Sequence, residues 1–130
     1  MRTVPSNFRT VAALAALALG AAACSGSASG AAAAPPAAAD GLPRLVFFMN
    51  PNGAPCQLQD QLIRGMAPEL TGKITVVYLR TTVPAEIPFF ERYGVRSLPQ
   101  LLLVDGAGRE LRRATPGVQQ PEAIRRLVGI

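Results

Sequence analysis

A chain of 130 residues has room for one domain. It contains no histidine, which excludes a cysteine–histidine hydrolase and a histidine-ligated zinc site. Its formal charge of +5 falls to +3 once Arg2 and Arg9 are set aside, leaving 11 basic against 8 acidic residues; the remaining arginines are scattered among acids with no base-stacking aromatics between them, so nucleic acid is not an expected partner.

Residues 1–23 read as a targeting segment. Arg2 and Arg9 precede an uncharged apolar run, Val11 to Ala23. A membrane-spanning helix needs about 20 such residues, so the run fits the core of a secretory signal peptide and not an ordinary anchor. Three alanines, Ala21 to Ala23, then lead directly into Cys24 and Ser25-Gly26-Ser27. This resembles a bacterial lipoprotein signal, which implies acylation of Cys24 and a place in the cell envelope, facing the periplasm or the exterior. Cleavage at an Ala-x-Ala site by the ordinary signal peptidase is the alternative, and it leaves a soluble product. Residues 24–43 hold alanine, proline, serine and glycine with one charge, too little apolar bulk to order themselves, and read as a tether.

The domain is expected over 44–130. Leu45 to Met49 is a short run apolar on both faces, hence a central strand covered on both sides. Asn50 to Pro55 is a dense turn signal, with Asn50 and Asn52 as turn residues. From Cys56 to about Ala67 the spacing predicts a helix burying Leu58, Leu62, Ile63 and Met66, with Pro55 suited to its first turn. Lys73 to Leu79 is a second strand. Ala85 to Tyr93 is a weaker helix, started by Pro84, distorted by Pro88 and ended by Gly94; Phe89, Phe90 and Tyr93 are its packing residues. Leu101 to Val104 is a third strand, and Asp105-Gly106-Ala107-Gly108 a hairpin with glycines at positive φ. Glu110 to Ala114 is a polar edge strand. Pro121 opens a last helix that buries Ile124, Leu127 and Val128. The order β-α-β-α-β-β-α predicts an α/β fold with a four-stranded mixed sheet flanked by helices.

Two stretches then carry a resemblance. Asn52-Gly53-Ala54-Pro55-Cys56 follows an apolar strand and opens a helix. Tyr93-Gly94-Val95-Arg96-Ser97-Leu98-Pro99-Gln100, running into Leu101 to Val104, follows the second β-α unit. In that order they resemble the thioredoxin family over residues 44–130, without the family's first strand and helix. The resemblance implies a thioredoxin-like fold, a cis bond before Pro99 and a Leu98 backbone free to pair with an extended peptide. A trans proline ahead of a strand is the plainer reading of Pro99. Position by position, the family's nucleophilic cysteine falls at Gly53 and its resolving cysteine at Cys56; its buried acid falls at Phe47.

Cys56 is the candidate catalytic residue. A thiolate at a helix head is stabilised by unpaired N–H groups and attacks disulfides, but without a second cysteine it cannot release itself by internal exchange. Packing as a small, sheltered hydrophobe is the alternative, although Gly53 and Ala54 are small enough to leave the sulfur uncovered. Gly53, Ala54, Pro55, Leu98 and Pro99 are the candidate substrate-binding residues, and Cys24 the lipidation site. Peroxidase chemistry of the peroxiredoxin kind wants a hydroxyl residue three before the cysteine, where Gly53 stands. No cofactor and no metal are called for. Expected partners are a client protein presenting an extended segment or a small thiol, and a membrane through the N-terminal lipid. Two functions follow: a monothiol disulfide-exchange protein, or a redox-inactive module that binds a peptide near Pro99.

Overall fold

A computed structural model describes residues 41–130. The targeting segment, Cys24 and the tether up to residue 40 lie outside the described residues. Four strands form one sheet in the order β2-β1-β3-β4: β1 (Arg44–Met49), β2 (Thr75–Arg80), β3 (Gln100–Val104) and β4 (Glu110–Arg113). β1 runs parallel to β2 and antiparallel to β3, and β3 is antiparallel to β4. Helices α1 (Ala54–Gly65), α2 (Ala67–Leu70), α3 (Ile87–Arg92) and α4 (Pro121–Val128) fill the connections. Among the described residues no helix is long and apolar enough to cross a membrane.

All six residues of β1 are buried, as its two-sided apolar pattern requires. Alternate side chains feed two layers. Leu45, Phe47 and Met49 meet Cys56, Ile63 and Met66 of the α1 segment and Ile124, Leu127 and Val128 of α4. Val46 and Phe48 meet Leu102, Val104 and Tyr93, with Phe89 and Phe90 of α3 packed behind. The charged first residue, Arg44, is buried too; its guanidinium donates to the carbonyls of Asp105 and Gly106 at 3.1 and 3.0 Å and so holds the β3–β4 hairpin. In that hairpin Asp105 Oδ1 accepts from the N–H groups of Ala107 and Arg109, both at 2.9 Å. Gly108 alone of its two glycines takes positive φ.

Several boundaries differ from expectation for local reasons. α1 starts two residues early because Gly53, extended at φ −89° and ψ 123°, is its N-cap and Pro55 sits within the first turn. Its buried face is also rotated. Leu58 is 48% exposed, and Cys56 and Gln59 are buried in its stead, beside Ile63 and Met66. β2 begins at Thr75 because the N–H groups of Lys73 and Ile74 turn back to the Leu70 carbonyl. The predicted 85–93 helix is a 3₁₀ turn over Pro84–Glu86 followed by α3, with Pro88 in the first turn of α3, where a missing N–H costs nothing. Gly94, at φ +60°, ends it. β4 is exposed throughout, as an edge strand of charged residues should be.

The layer under α3 rests on Phe48, whose ring meets Phe90 and Tyr93 edge-on at 5.0 and 5.8 Å. Phe48→Ala is expected to cost about 3–5 kcal/mol, which is a large part of the stability of so small a domain. Urea unfolding followed by circular dichroism checks it; a loss under about 1 kcal/mol would mean that the layer refills from its neighbours.

Candidate functional site

The sheet delivers β1 into a tight loop. Asn52 N–H is bound by Asn50 Oδ1 and Gly53 N–H by the Asn50 carbonyl, both at 3.0 Å. The first helical bond follows, from Gln57 N–H to the Gly53 carbonyl at 3.0 Å. Gln57 Nε2 reaches back to the Pro51 carbonyl at 3.0 Å. Asx and β turns of this kind need the small polar residues that the segment supplies.

Cys56 lies in the first turn of α1, and its sulfur points inward. The residue is 2% exposed, and Sγ accepts from the backbone N–H of Asn50 at 3.3 Å. It is the free cysteine of the described residues. The expectation that Gly53 and Ala54 would leave the sulfur uncovered is corrected: the thiol is sheltered by the core cluster around Met49 and Ile63, and the small residues lie to one side of it. That side is open. A Cβ placed on Gly53 would stand 3.7 Å from Cys56 Sγ and no nearer than 3.4 Å to any other neighbour, the Asn50 carbonyl oxygen. The backbone at Gly53 suits an L-residue. A Cβ at residue 53 is therefore excluded neither by the backbone nor by its neighbours.

The Leu98–Pro99 bond is cis, as the resemblance implies. Pro99 is buried, and its carbonyl accepts from Gly117 N–H at 2.9 Å. Leu98 packs against the cluster that holds Cys56, and its own N–H and C=O engage no other described residue. Gly53 and Cys56 are thus in contact range, Leu98 shares their core, and Ala54 and Pro55 are exposed on the first turn of α1.

Sequence reasoning missed Gln59. Its side chain is fully buried; Oε1 accepts from Gln119 N–H at 2.6 Å and Nε2 donates to the Gln119 carbonyl at 3.3 Å. The Gln119 side chain in turn donates to the carbonyls of Thr115 and Gly117 at 2.7 and 3.2 Å. Since Gly117 also holds Pro99, one network joins the cysteine helix, the proline loop and the segment before α4. A polar residue three after the cysteine on the buried face is the signal that could have revealed it.

The position of the family's buried acid is dry. Phe47 is fully buried and meets Tyr78 edge-on at 5.6 Å. Burial pushes the Tyr78 phenol up, with a hydrogen bond to Asp60 adding to it. Tyr78 also lines a cleft of about 490 Å³ with Met49, Pro51, Asp60, Arg64 and Arg80. Arg64 is paired with Asp60 at 2.9 Å and Arg80 with Glu86 at 2.8 Å, so its guanidinium groups are already balanced. Neither Cys56 nor Pro99 lines that cleft.

No family model matches this sequence, and no curated protein does. Solved structures do. The fold is similar to a malarial protein at TM-score 0.58 and 14% identity, covering 68% of this chain and 94% of that one. It is similar to thioredoxin-2, a component of the malaria parasite protein secretion machinery, at TM-score 0.60 and 14% identity, covering 68% of this chain and 82% of that one. A thioredoxin-like protein from Clostridium perfringens aligns at TM-score 0.62 and 18% identity, over 68% of this chain and 70% of that one. The four-stranded mixed sheet with flanking helices is a thioredoxin-like fold.

Two outcomes follow from this geometry. Gln59→Leu leaves the Gln119 N–H and C=O buried without partners and is expected to cost about 1–3 kcal/mol, read by urea unfolding. In a Cys24→Ala chain, Gly53→Cys is expected to close an intramolecular disulfide with Cys56 on mild oxidation, since residues three apart on a helix head fall within bridging distance. Intact mass would show the loss of two hydrogens and no added reagent; two titratable thiols persisting under oxidant would contradict the placement of Sγ.

Proposed function

We propose that this chain is an exported thioredoxin-like protein, tethered in the cell envelope through Cys24, that exchanges disulfides through the single thiol of Cys56. Export and tethering draw on the apolar run, Val11 to Ala23, and the cysteine that follows it. The observation that carries the thiol chemistry is the glycine at residue 53, where a Cβ would stand in ordinary contact with a sulfur that the core otherwise encloses. An incoming sulfur can take the place that a side chain at residue 53 would fill.

The exchange balances without a cofactor. The Cys56 thiolate attacks one sulfur of a substrate disulfide, R–S–S–R′. A Cys56–S–S–R bond forms, and R′S⁻ leaves with the electron pair of the broken bond. A second thiol, R″SH, then attacks that mixed disulfide. It returns the Cys56 thiol and releases R–S–S–R″, so the protein is neither oxidised nor reduced overall. The N–H of Asn50, already aimed at Sγ, stabilises negative charge there. The free backbone groups of Leu98 are suited to hold an extended substrate segment as an added strand.

The second reading is a redox-inactive module that binds a peptide at Leu98 and Pro99. The burial of Cys56 favours it.

One experiment separates them. A Cys24→Ala chain, with Cys56 as its only thiol, is incubated folded with a small neutral disulfide and followed by intact mass. Exchange predicts a mixed disulfide under native conditions, and slowing of about tenfold or more in Gly53→Val, whose branched side chain fills the approach. An adduct that forms only at the rate of global unfolding would overturn the exchange reading and leave the binding module.

A further inference from the structure

The two edges of the sheet are built differently. β4 carries Glu110, Arg112 and Arg113, is exposed along its length, and has a register shift against β3 between Leu103 and Val104. Charge and irregularity of this kind are what protect an edge from pairing. β2, at the other edge among the described residues, has no register shift and a single charge, Arg80 at its end. From Thr75 to Leu79 it reads Thr-Val-Val-Tyr-Leu, without a charge, proline, glycine or bulge. A groove of about 270 Å³ runs beside it, its apolar wall formed by Ile63, Ala67, Leu70, Ile74, Val76 and Tyr78.

The backbone says which groups this edge offers. Thr75 N–H bonds the Pro43 carbonyl and Thr81 N–H the Met49 carbonyl, so the odd-numbered residues of β2 point toward β1. The N–H and C=O of Val76 and Tyr78 therefore point outward. Just beyond them, the outward N–H groups are already taken: Ile74 gives its own to the Leu70 carbonyl and Arg80 to Glu86 Oε2. The open stretch is short and capped at both ends.

We infer that β2 pairs antiparallel with β2 of a second copy of this chain, about a two-fold axis at Val77. In that register Val76 of one copy lies opposite Tyr78 of the other, twice, and each pair exchanges two backbone hydrogen bonds. The β-branched and aromatic side chains of each pair share one face, beside the apolar groove, and the two Val77 side chains meet on the other. Charges do not clash: Arg80 lies opposite Ile74, and Lys73 opposite Thr81. The segment just before the described residues, 25–40, is a poor alternative occupant by composition. Residues 25–40 contain no Val, Ile, Thr, Tyr, Phe or Trp, and Pro35 and Pro36 have no N–H to give. The result is one continuous sheet through a symmetric dimer, with both sites outside the pairing strands.

The test uses the full chain with Cys24→Ala and Cys56→Ser, in mild detergent. Val77→Cys places two thiols opposite one another, with Cβ atoms about 4.5–5.5 Å apart. Mild oxidation is expected to give a covalent dimer from Val77→Cys and none from Leu111→Cys on the β4 edge, where Leu111 is 51% exposed. That contrast distinguishes register-specific pairing from clustering through the apolar leader. Sedimentation is expected to give twice the 13.6 kDa chain mass, falling to the chain mass in Val76→Pro, which removes an outward N–H at an edge where proline is tolerated. If Val76→Pro fails to fold by circular dichroism, the cross-linking contrast decides alone. A monomer at every concentration, equal cross-linking at both edges, or a folded Val76→Pro that stays dimeric would overturn the inference. So would a monomer whose Val76 and Tyr78 amides resist hydrogen exchange, which would show the edge covered by the chain's own leader.

Discussion

The buried amide of Gln59 is the constraint on which the site depends. It sits one helical turn beyond Cys56 and takes both the N–H and the C=O of Gln119. Two hydrogen bonds to one residue fix the rotation of α1 about its axis as well as its distance from the loop. That rotation turns Cys56 inward and Leu58 outward. The same loop, through Gly117, holds the Pro99 carbonyl. Gln59 thereby ties α1 to the loop that in turn holds Pro99, and an apolar residue of equal size would leave two backbone groups of Gln119 unsatisfied. Packing alone would not select this arrangement, because a helix that buried Leu58 and Leu62 would serve the hydrophobic effect as well.

This explains what was legible in the sequence and what was not. β1 could be read because burial on both faces demands a continuous apolar run, and Leu45 to Met49 is one. α4 could be read because Ile124, Leu127 and Val128 repeat at helical spacing and nothing polar competes for the inward face. The resemblance at Tyr93 to Pro99 extended this to the cis bond. α1 was misread in its face, since periodicity scores Gln59 as a solvent residue and has no means of seeing Gln119, sixty positions away. The start of β2 was misread for a related reason: Lys73 and Ile74 look like strand residues, but their N–H groups are spent on Leu70. Short-range pattern finds elements; hydrogen bonds made across the fold decide their rotation and ends.

At the site, the resemblance sets two residues against the thioredoxin pattern. It places Gly53 where the family carries an exposed sulfur and Phe47 where many of its members carry a buried carboxyl. Phe47 and Tyr78 close that interior with an aromatic contact where a charged group would have needed partners. A dithiol cycle needs an internal leaving group and a way to move protons to and from the buried sulfur. Gly53 and Phe47 supply neither, and Cys56 keeps a sulfur with one described donor, the Asn50 N–H, beside the glycine at residue 53. In the proposed exchange such a site is loaded and unloaded by outside thiols.

That dependence on external partners also bears on the outer surface. Among the described residues β2 is an edge, and its composition from Thr75 to Leu79 reads as that of an interior strand. β4, an edge in any case, carries the charges that an edge requires. The difference cannot come from the demands of a lone domain, which would favour protecting both sides alike. An edge that keeps interior character while its two ends are capped by Leu70 and Glu86 is shaped for a short, defined pairing and not for open-ended growth. The inferred pairing at β2 and the proposed exchange at Cys56 thus make the same demand: each takes its second half from another molecule, the edge through the outward groups of Val76 and Tyr78 and the sulfur through an incoming thiol.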